Sequence, residues 1–355
     1  MIRRTKSILK QATIRTLAHP RVCTLFNSLT GCLGTVFMMH RFEDPARGMP
    51  GHSVAFVETV LQRLRHQNCR LVSLRDLIAS QDCDVSSKDH CVAFTFDDGS
   101  YDQAAIAAPL FGHYDCPATI FLITGFIDRM LWPWDDQVAY ALRNTAHTSV
   151  AIRTGSTMLS YDLRTDAQRT RAIDDLRLRC KLMEHTEFLA VLAGLSEATG
   201  VGIPQSAPRA YAPMTWDEAR ALERTGLFSF APHSVSHRIL TGMPDDLARS
   251  EITGSWQRVC RELDDPLPVF NFPSGIFGTR EVGFLRDAGL STFVTSDAGY
   301  VQSCENTKRI DLPRRIDRFV FPETLEDFLQ YSTWIEWGKN WLRSKDWLRS
   351  RTRNS

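Results

Sequence analysis

The chain has 355 residues, of which 43% are hydrophobic and 23% charged, and its formal net charge at pH 7 is +1. This composition is typical of a globular protein with one large or two smaller domains, and the balanced charge argues against a nucleic-acid binder. The nine cysteines are scattered singly, without a C-x-x-C pair. This pattern suits a reducing compartment, so the cytoplasm is the expected location.

The first part of the chain is a basic segment, residues 1–30, which we expect to be an amphipathic helical lead-in to the main domain. A strand is predicted at 34–39. A helix follows it, because apolar residues recur at helical spacing between positions 56 and 64.

The next predicted elements alternate between strands and helices, an arrangement that favours parallel strands wrapped by helices, the α/β class. Further strands are predicted at 71–73, 92–96, 118–123, 228–231, 269–272 and 292–295, and helices at 74–78, 104–111, 216–226, 247–263 and 280–288.

The stretch 127–215 breaks this alternation and contains a long helical pattern at 166–199. We interpret it as an insertion into the main domain. It is either a helical cap beside the functional site or a buttress away from it.

Two adjacent carboxylates, Asp97 and Asp98, follow the buried strand and precede Gly99. Neighbouring acids repel each other and are costly to bury, so such a pair usually serves a cation or a proton transfer. The alternative is an ordinary Asp-Gly turn that closes a strand.

A second feature is the histidine pair His233 and His237, four residues apart. On a helical turn this spacing places both imidazoles on one face, whereas in a loop the geometry is less certain. Two histidines and one carboxylate form an open metal site with free positions for water and substrate. Asp98, His233 and His237 supply that set.

These residues carry a family resemblance. Thr-Phe-Asp-Asp-Gly at 95–99 followed by His-Ser-x-x-His at 233–237 resembles the motifs of the polysaccharide deacetylases, the NodB-homology group. The resemblance covers about residues 35–320 and implies a distorted (β/α) barrel, here of about seven strands. The domain organisation is then a lead-in (1–30), the barrel (31–325, with the insertion) and a basic, Trp-rich tail (326–355). Further stretches that resemble family segments are 37–41, 116–122, 272–275 and 312–316.

The resemblance implies metal-dependent removal of an acetyl group from an N-acetylated sugar by hydrolysis of its amide. An O-acetylated sugar, in which the acetyl group is an ester, is the alternative substrate. Asp98, His233 and His237 are the implied ligands of a divalent metal, most simply zinc, with cobalt, nickel or iron as alternatives. Asp97 is the implied general base, and the backbone N–H of Ser274 an implied donor to the oxyanion.

The leaving amine needs a proton, which many relatives take from a late Leu-x-His segment. This chain has no histidine after His237. In one subgroup, which resembles the poly-N-acetylglucosamine deacetylases, the acid lies at the end of the first strand, where this chain has His40. The alternative is a histidine with a structural hydrogen bond.

The third motif differs from the family pattern, because Asn271 and Ser274 replace the usual arginine and aromatic residue. Asn271 can hydrogen-bond to a carboxylate or the substrate but cannot orient Asp97 by charge. Arg314 or Arg315 is the candidate for that role, and the alternative for one of them is an ordinary surface charge. Asp297 also follows a predicted strand, so we expect it at the same rim as a substrate or oxyanion residue.

Aromatic residues give two further hypotheses. Trp132 and Trp134 either stack on sugar rings or anchor the insertion in the core. In the tail, residues 338–355 hold six basic residues against one acid, with tryptophans at helical spacing. The tail therefore either packs on the barrel or contacts an anionic membrane surface peripherally.

The expected partner is an acetylated glycan, such as a lipid-linked or exopolysaccharide intermediate, and no nucleic acid. Two alternatives remain at this point. One is hydrolysis of a non-sugar amide on the same barrel, and the other is a catalytically degenerate glycan-binding or assembly protein.

Overall fold

The computed structural model describes residues 11–19, 21–23, 25–26, 33–67, 69–82, 90–302 and 312–351. The strands are β1 (Leu33–Met39), β2 (Arg70–Leu71), β3 (Cys91–Phe96), β4 (Ala118–Leu122), β5 (Ser149–Thr154), β6 (Thr157–Asp162), β7 (Phe228–Pro232), β8 (Val269–Asn271), β9 (Thr292–Val294), β10 (Val301–Gln302), β11 (Arg314–Ile316) and β12 (Phe319–Val320). The α-helices with bounds are α1 (Val54–His66), α2 (Leu74–Asp82), α3 (Ala108–His113), α4 (Thr124–Ile127), α5 (Trp134–Asn144), α6 (Asp166–Leu182), α7 (His185–Thr199), α8 (Trp216–Glu223), α9 (Asp245–Glu262), α10 (Thr279–Asp287), α11 (Leu325–Tyr331) and α12 (Trp334–Arg351).

Apart from β5 and β6, which pair with each other in an antiparallel hairpin, the strands form two mainly parallel sheets. In the larger sheet β12, β1, β3, β4 and β7 are neighbours in that order, all parallel. β2 extends β3 on one side, and β10 pairs antiparallel with the start of β1. The smaller sheet runs β8, β9, β11 and is also parallel.

One interior core joins the two sheets. Seven strands each send at least one buried apolar side chain into it: Val36, Ala93, Phe121, Ala231, Val269, Val294 and Ile316. Because seven strands from both sheets surround the same core, the sheets form a (β/α) barrel, distorted in that its ring of strands is divided between two ladders. The predicted barrel of about seven strands is confirmed.

The outer face of the larger sheet is covered by helices. The apolar stripe of α1, which consists of Val57, Val60, Leu61 and Leu64, packs in one cluster with the outward side chains of β1 and β3 and with Phe111 of α3. The central strands β3 and β4 are therefore buried on both faces, and every residue of each is buried. This burial is why these strands appear in the sequence as continuous apolar runs.

The inserted stretch has its own core, built from α5, α6, α7 and the hairpin β5–β6. The long helical pattern at 166–199 is divided into two helices, because Met183 is extended, with φ −79° and ψ 150°. The hairpin was not predicted from the sequence. Its strand β5 buries only alternate residues, so it lacks the continuous apolar run of the barrel strands.

Both ends of the described chain meet on one side of the barrel. Ile14 and Ala18, in and just after the helical residues 11–17, pack against Leu329 and Ile335. Residues 1–10, 20, 24 and 27–30 of the predicted lead-in and residues 352–355 of the predicted tail lie outside the described residues. Within the described parts of the chain, no helix has both the length and the apolar character needed to cross a bilayer.

Candidate active site

The paired aspartates lie at the carboxyl end of β3. The N–H of Asp97 donates to the carbonyl of Met39 at 2.9 Å, which aligns the ends of β1 and β3. Asp98 has φ +84° and Gly99 has φ +79°. A Cβ at position 99 would lie 2.7 Å from Leu122 Cδ2, so only glycine fits this tight turn.

The two histidines lie in a loop after β7, not on a helix. Ser234 and His237 have φ of +62° and +57°. The carboxylate of Glu251, on α9, accepts hydrogen bonds from the N–H groups of Val235 (2.9 Å) and Ser236 (2.8 Å). This carboxylate holds a strained loop in place, so the spacing of four residues brings both imidazoles to one point without a helical turn.

Left-handed backbone is concentrated around this point. Among the described non-glycine residues, positive φ occurs at Asp98, Asp115, Arg129, Ser234, His237 and Ser274. Four of these six lie in the loops that follow β3, β7 and β8. Strain of this kind persists only where the surrounding structure imposes it, and it is frequent at functional sites.

Asp98, His233 and His237 converge within the barrel mouth. Asp98 Oδ1 lies 3.6 Å from His233 Nε2 and 3.7 Å from His237 Nε2. Each of the three residues offers one possible ligand atom, and these three atoms lie within 4.8 Å of one another. His233 Nδ1 is 2.8 Å from the carbonyl of Asn271, so Nδ1 carries the proton and the lone pair is on Nε2, which lies 3.4 Å from Asn271 Nδ2. One oxygen and two nitrogens in an open arrangement suit a divalent metal such as zinc.

The charges at this point also fit a cation. Asp98 Oδ1 is buried and has no hydrogen-bond partner among the described residues. Burial and the carboxylates of Asp135 and Asp97 raise the pKa of Asp98. Burial and the neighbouring His237 lower the pKa of His233 to about 3. Burial alone would lower the pKa of His237, but the carboxylates of Asp135 and Asp98 raise it to about 9. A cation would relieve the carboxylate repulsion.

Arg318 holds the carboxylate of Asp97. The two terminal nitrogens of its guanidinium lie 2.7 and 2.9 Å from the two carboxylate oxygens. Arg318 also donates to Thr95 Oγ1, to Asn271 Oδ1 and to the carbonyl of Thr295, and it is completely buried. Although burial opposes it, the charge of Arg318 lowers the pKa of Asp97.

His40 lies at the mouth of the site, at the end of β1. Its Nε2 is 3.8 Å from Asp97 Oδ2, and 47% of its side chain is exposed. The buried amide of Gln103 donates to the carbonyls of both His40 and Asp97. Gln103 begins a π-helical turn, Gln103–Ala107, ahead of α3. Such turns are rare and often occur at functional sites.

The insertion forms one wall of this site. Trp134 Nε1 donates to the carbonyl of His237 at 2.9 Å, and Asp135 Oδ1 lies 3.8 Å from His237 Nδ1. Asp136 lies between Arg41 and Arg177, at 3.8 and 3.6 Å. The structure therefore places the start of α5 beside the candidate metal ligands. Of the two interpretations of the insertion, this position agrees with a cap beside the site and not with a support away from it.

A family comparison identifies the protein class. The family model described as polysaccharide deacetylase matches residues 84–293, which is more than half of the chain. The chain belongs to this family. As a polysaccharide deacetylase it is a hydrolase that acts on amide bonds. No curated protein matches the chain significantly in sequence.

Solved structures of deacetylases share the fold. The deacetylase PplD of Streptococcus pyogenes is 15% identical, with a TM-score of 0.55 over 85% of this chain and 99% of that one. IcaB of Ammonifex degensii is 14% identical, with a TM-score of 0.52 over 85% and 98%. The de-N-acetylase of Aggregatibacter actinomycetemcomitans is 12% identical, with a TM-score of 0.51 over 84% and 99%. At these identities the likeness concerns the fold alone.

Several predicted residues of this deacetylase have surroundings other than those expected. Arg315 pairs with Asp297 and Asp317 at the surface, and Asp297 is 67% exposed there. Arg314 Nη1 is 3.5 Å from the carbonyl of Ile78. The expectation that Arg314 or Arg315 orients Asp97 was wrong, because Arg318 occupies that place.

Two other residues of the third motif lie at or near the site. Asn271 is completely buried and contacts both His233 and Arg318. Ser274, with φ +57°, lies three residues further on in the turn after β8. The structure brings Asp97, Asp98, His233, His237, His40 and Asn271 together, but it does not bring the side chain of Asp297 to them.

The sugar-stacking hypothesis for Trp132 and Trp134 was also wrong. Both side chains are buried, at 2% and 3% exposure. The indole N–H of Trp132 donates to the carbonyl of Pro204 within the insertion. Both tryptophans are therefore anchors of the insertion.

Proposed function

We propose that this deacetylase removes acetyl groups from an N-acetylated sugar of a glycan by metal-dependent hydrolysis. The observation that carries the proposal is the buried carboxylate of Asp97 beside the cluster of Asp98, His233 and His237. An O-acetyl group on a sugar presents a similar carbonyl to the same residues.

Asp98, His233 and His237 are the residues that would hold the metal. A divalent ion bound there would polarise the acetyl carbonyl and acidify the attacking water. Zinc agrees best with one carboxylate and two imidazoles, while cobalt, nickel and iron accept the same donors.

Asp97 accepts the proton of the attacking water. Arg318 keeps this carboxylate ionised and fixes both of its oxygens, so its direction is set before substrate binds. The water oxygen forms a bond to the acetyl carbon, and the oxyanion that results meets a donor in the backbone N–H of Ser274.

His40 donates a proton to the amine as the carbon–nitrogen bond breaks, and acetate and a free amino sugar are released. Its position supports this role, because the side chain is half exposed at the mouth and close to Asp97. The hydrogen bonds from Gln103 hold the backbone of His40 and Asp97 together.

A glycan is supported as substrate by a cleft of about 580 Å³ that includes His40. His52, Phe56, Pro322 and Glu323 also line it. Rings and polar groups of this kind suit a sugar chain, which presents both apolar faces and hydroxyl groups.

The test is acetate release from N-acetylglucosamine oligomers by the purified protein, with and without a chelator. We expect release that the chelator abolishes and that Asp97→Asn lowers by about 10²- to 10⁴-fold. Asp217→Asn, at a 90% exposed carboxylate on α8, is the matched control. Full activity of Asp97→Asn would contradict the mechanism, and glycan binding without any release would favour a degenerate binding protein.

We also propose that the basic tail contacts an anionic membrane surface peripherally. Trp341 and Leu342 of α12 are 44% and 58% exposed, whereas Ile335 of the same helix is packed. Co-sedimentation with phosphatidylserine vesicles tests this, and deletion of 338–355 should abolish it at low salt. Co-sedimentation that the deletion leaves unchanged would contradict the proposal.

A further inference from the structure

The two histidines of the cluster differ in what lies behind them. The Nδ1 of His233 has a neutral partner, the carbonyl of Asn271, at 2.8 Å. The Nδ1 of His237 faces a carboxylate oxygen, Asp135 Oδ1, at 3.8 Å. His237 Nδ1 and Asp135 Oδ1 are both buried, and neither atom has a hydrogen-bond partner among the described residues.

A buried N–H and a buried carboxylate oxygen without other partners are each costly unless they pair. We propose that Asp135 is the outer carboxylate partner of His237 and strengthens the hold of the site on its metal. Asp135 is thus a positioning residue, which acts through His237. This inference rests on the metal site of the proposed function.

The chain holds Asp135 and His237 in this arrangement from two sides. Trp134, the residue before Asp135, donates its indole N–H to the carbonyl of His237. Arg177, on α6, donates to the carbonyl of Asp135 at 2.9 Å. The insertion therefore presents the carboxylate to the back of the imidazole, and the other ring nitrogen, Nε2, faces Asp98.

A carboxylate behind a ligating imidazole fixes the ring orientation and tautomer and makes the ligand nitrogen more basic. The insertion would thereby set how tightly the barrel retains its ion. His237 depends on this support more than His233 does, because its own backbone is in the left-handed region.

The simpler interpretation is that Asp135 only favours the start of α5. Acids in the first turn of a helix interact favourably with its dipole, and Asp135 and Asp136 both lie there. Asp136 has the same helical surroundings but faces Arg41 and Arg177 rather than a histidine. It is therefore the matched control for the dipole effect.

The experiment measures the dissociation constant for Zn²⁺ by competition with a chromophoric chelator, using metal-free full-length protein. We expect Asp135→Asn to weaken binding by about 10- to 100-fold. Asp135→Glu should recover part of this loss, and Asp136→Asn should stay close to wild type. The visible spectrum of the Co²⁺-loaded protein should change in Asp135→Asn but not in Asp136→Asn.

Thermal unfolding of the metal-free variants separates a folding defect from a loss of affinity. If Asp135→Asn does not fold, Asp135→Glu tests the inference instead. Its longer side chain moves the carboxylate relative to His237, so both the Co²⁺ spectrum and the Zn²⁺ affinity should differ from those of the wild type. Wild-type affinity in both Asp135 variants overturns the inference, as does an equal loss in Asp136→Asn. Wild-type protein that binds no Zn²⁺ overturns the proposed metal site itself.

Discussion

The guanidinium of Arg318 has five N–H donors, and five acceptors surround it in the interior of the barrel. Two are the oxygens of Asp97, and the others belong to Thr95, Asn271 and Thr295. A fork of this shape binds a carboxylate with both arms, which a lysine cannot do. Arg318 therefore provides both charge and direction for the base.

We predict different results for two substitutions of Arg318. Arg318→Met leaves the buried charge of Asp97 uncompensated and should destabilise the protein by about 3–5 kcal/mol. Arg318→Lys keeps the charge but loses the fork, so kcat should fall on the order of 10²-fold through misplacement of the base. Urea unfolding and initial rates of acetate release measure the two effects. Wild-type kcat in Arg318→Lys would show that the fork does not orient the base.

His40 gives a second prediction at this scale. If His40 protonates the leaving amine, His40→Gln should reduce amide hydrolysis by about 10²- to 10⁴-fold. Hydrolysis of an ester with a phenolate leaving group should be much less affected, because that group leaves without a proton. Parallel rates on 4-nitrophenyl acetate and N-acetylglucosamine oligomers measure this. His113→Gln, at an exposed position of α3, is the control, and equal losses on both substrates would contradict the acid role.

At the scale of elements, the insertion combines a separate core with a direct contribution to the site. Its helices α5, α6 and α7 and its hairpin bury a cluster of their own, and Trp134 belongs to that cluster. Asp135, the residue after Trp134, faces His237. Packing within the insertion is thus transmitted to the site through a single short segment at the start of α5.

We expect the stability of the insertion to depend on the inner face of α6. Leu176 is completely buried in its core, so Leu176→Ala should destabilise the protein by about 2–5 kcal/mol. Leu178, on the same helix, is 58% exposed, and Leu178→Ala should change stability by less than about 0.5 kcal/mol. Urea unfolding compares them, and equal effects would mean that α6 does not pack as described.

At the scale of the whole molecule, the barrel brings the ends of its strands to one mouth. A half-buried histidine at this mouth makes the stability of the fold depend on pH. His52, between β1 and α1, lines the cleft beside His40. Burial, together with the nearby His40, lowers the pKa of His52 to about 4. The folded chain therefore binds fewer protons than the unfolded chain between pH 4 and about 6.5.

This difference predicts how the stability of the whole fold varies with pH. The contribution of His52 is fully present above about pH 6.5 and is lost as the pH falls towards 4, by up to about 3 kcal/mol. We expect the stability difference between wild type and His52→Gln to shrink or reverse over this window. Urea unfolding in chelator at pH 7.5, 6 and 4.5 measures it, with His113→Gln as the control. A difference independent of pH would falsify the assignment.

The sequence by itself determined most of the alternation of strands and helices, because strands such as β3 and β4 are buried on both faces and appear as apolar runs. It also located Asp97 and Asp98, and likewise His233 and His237, since each pair is contiguous enough to form a local pattern. The family follows from the same short motifs. The two-helix division of 166–199 and the hairpin β5–β6 were missed, because their turns and half-buried strands leave weaker local signals.

Only the tertiary structure decided which charged groups complete the site. Asp97 and Arg318 are 221 positions apart, and nothing local distinguishes Arg318 from Arg314 or Arg315. Closure of the barrel buries Arg318, whereas Arg315 remains at the surface. Asp135 likewise appears as an ordinary acid at a helix start until the insertion packs against the His237 loop. Burial and convergence depend on the whole barrel, so these roles could not be predicted from neighbouring residues.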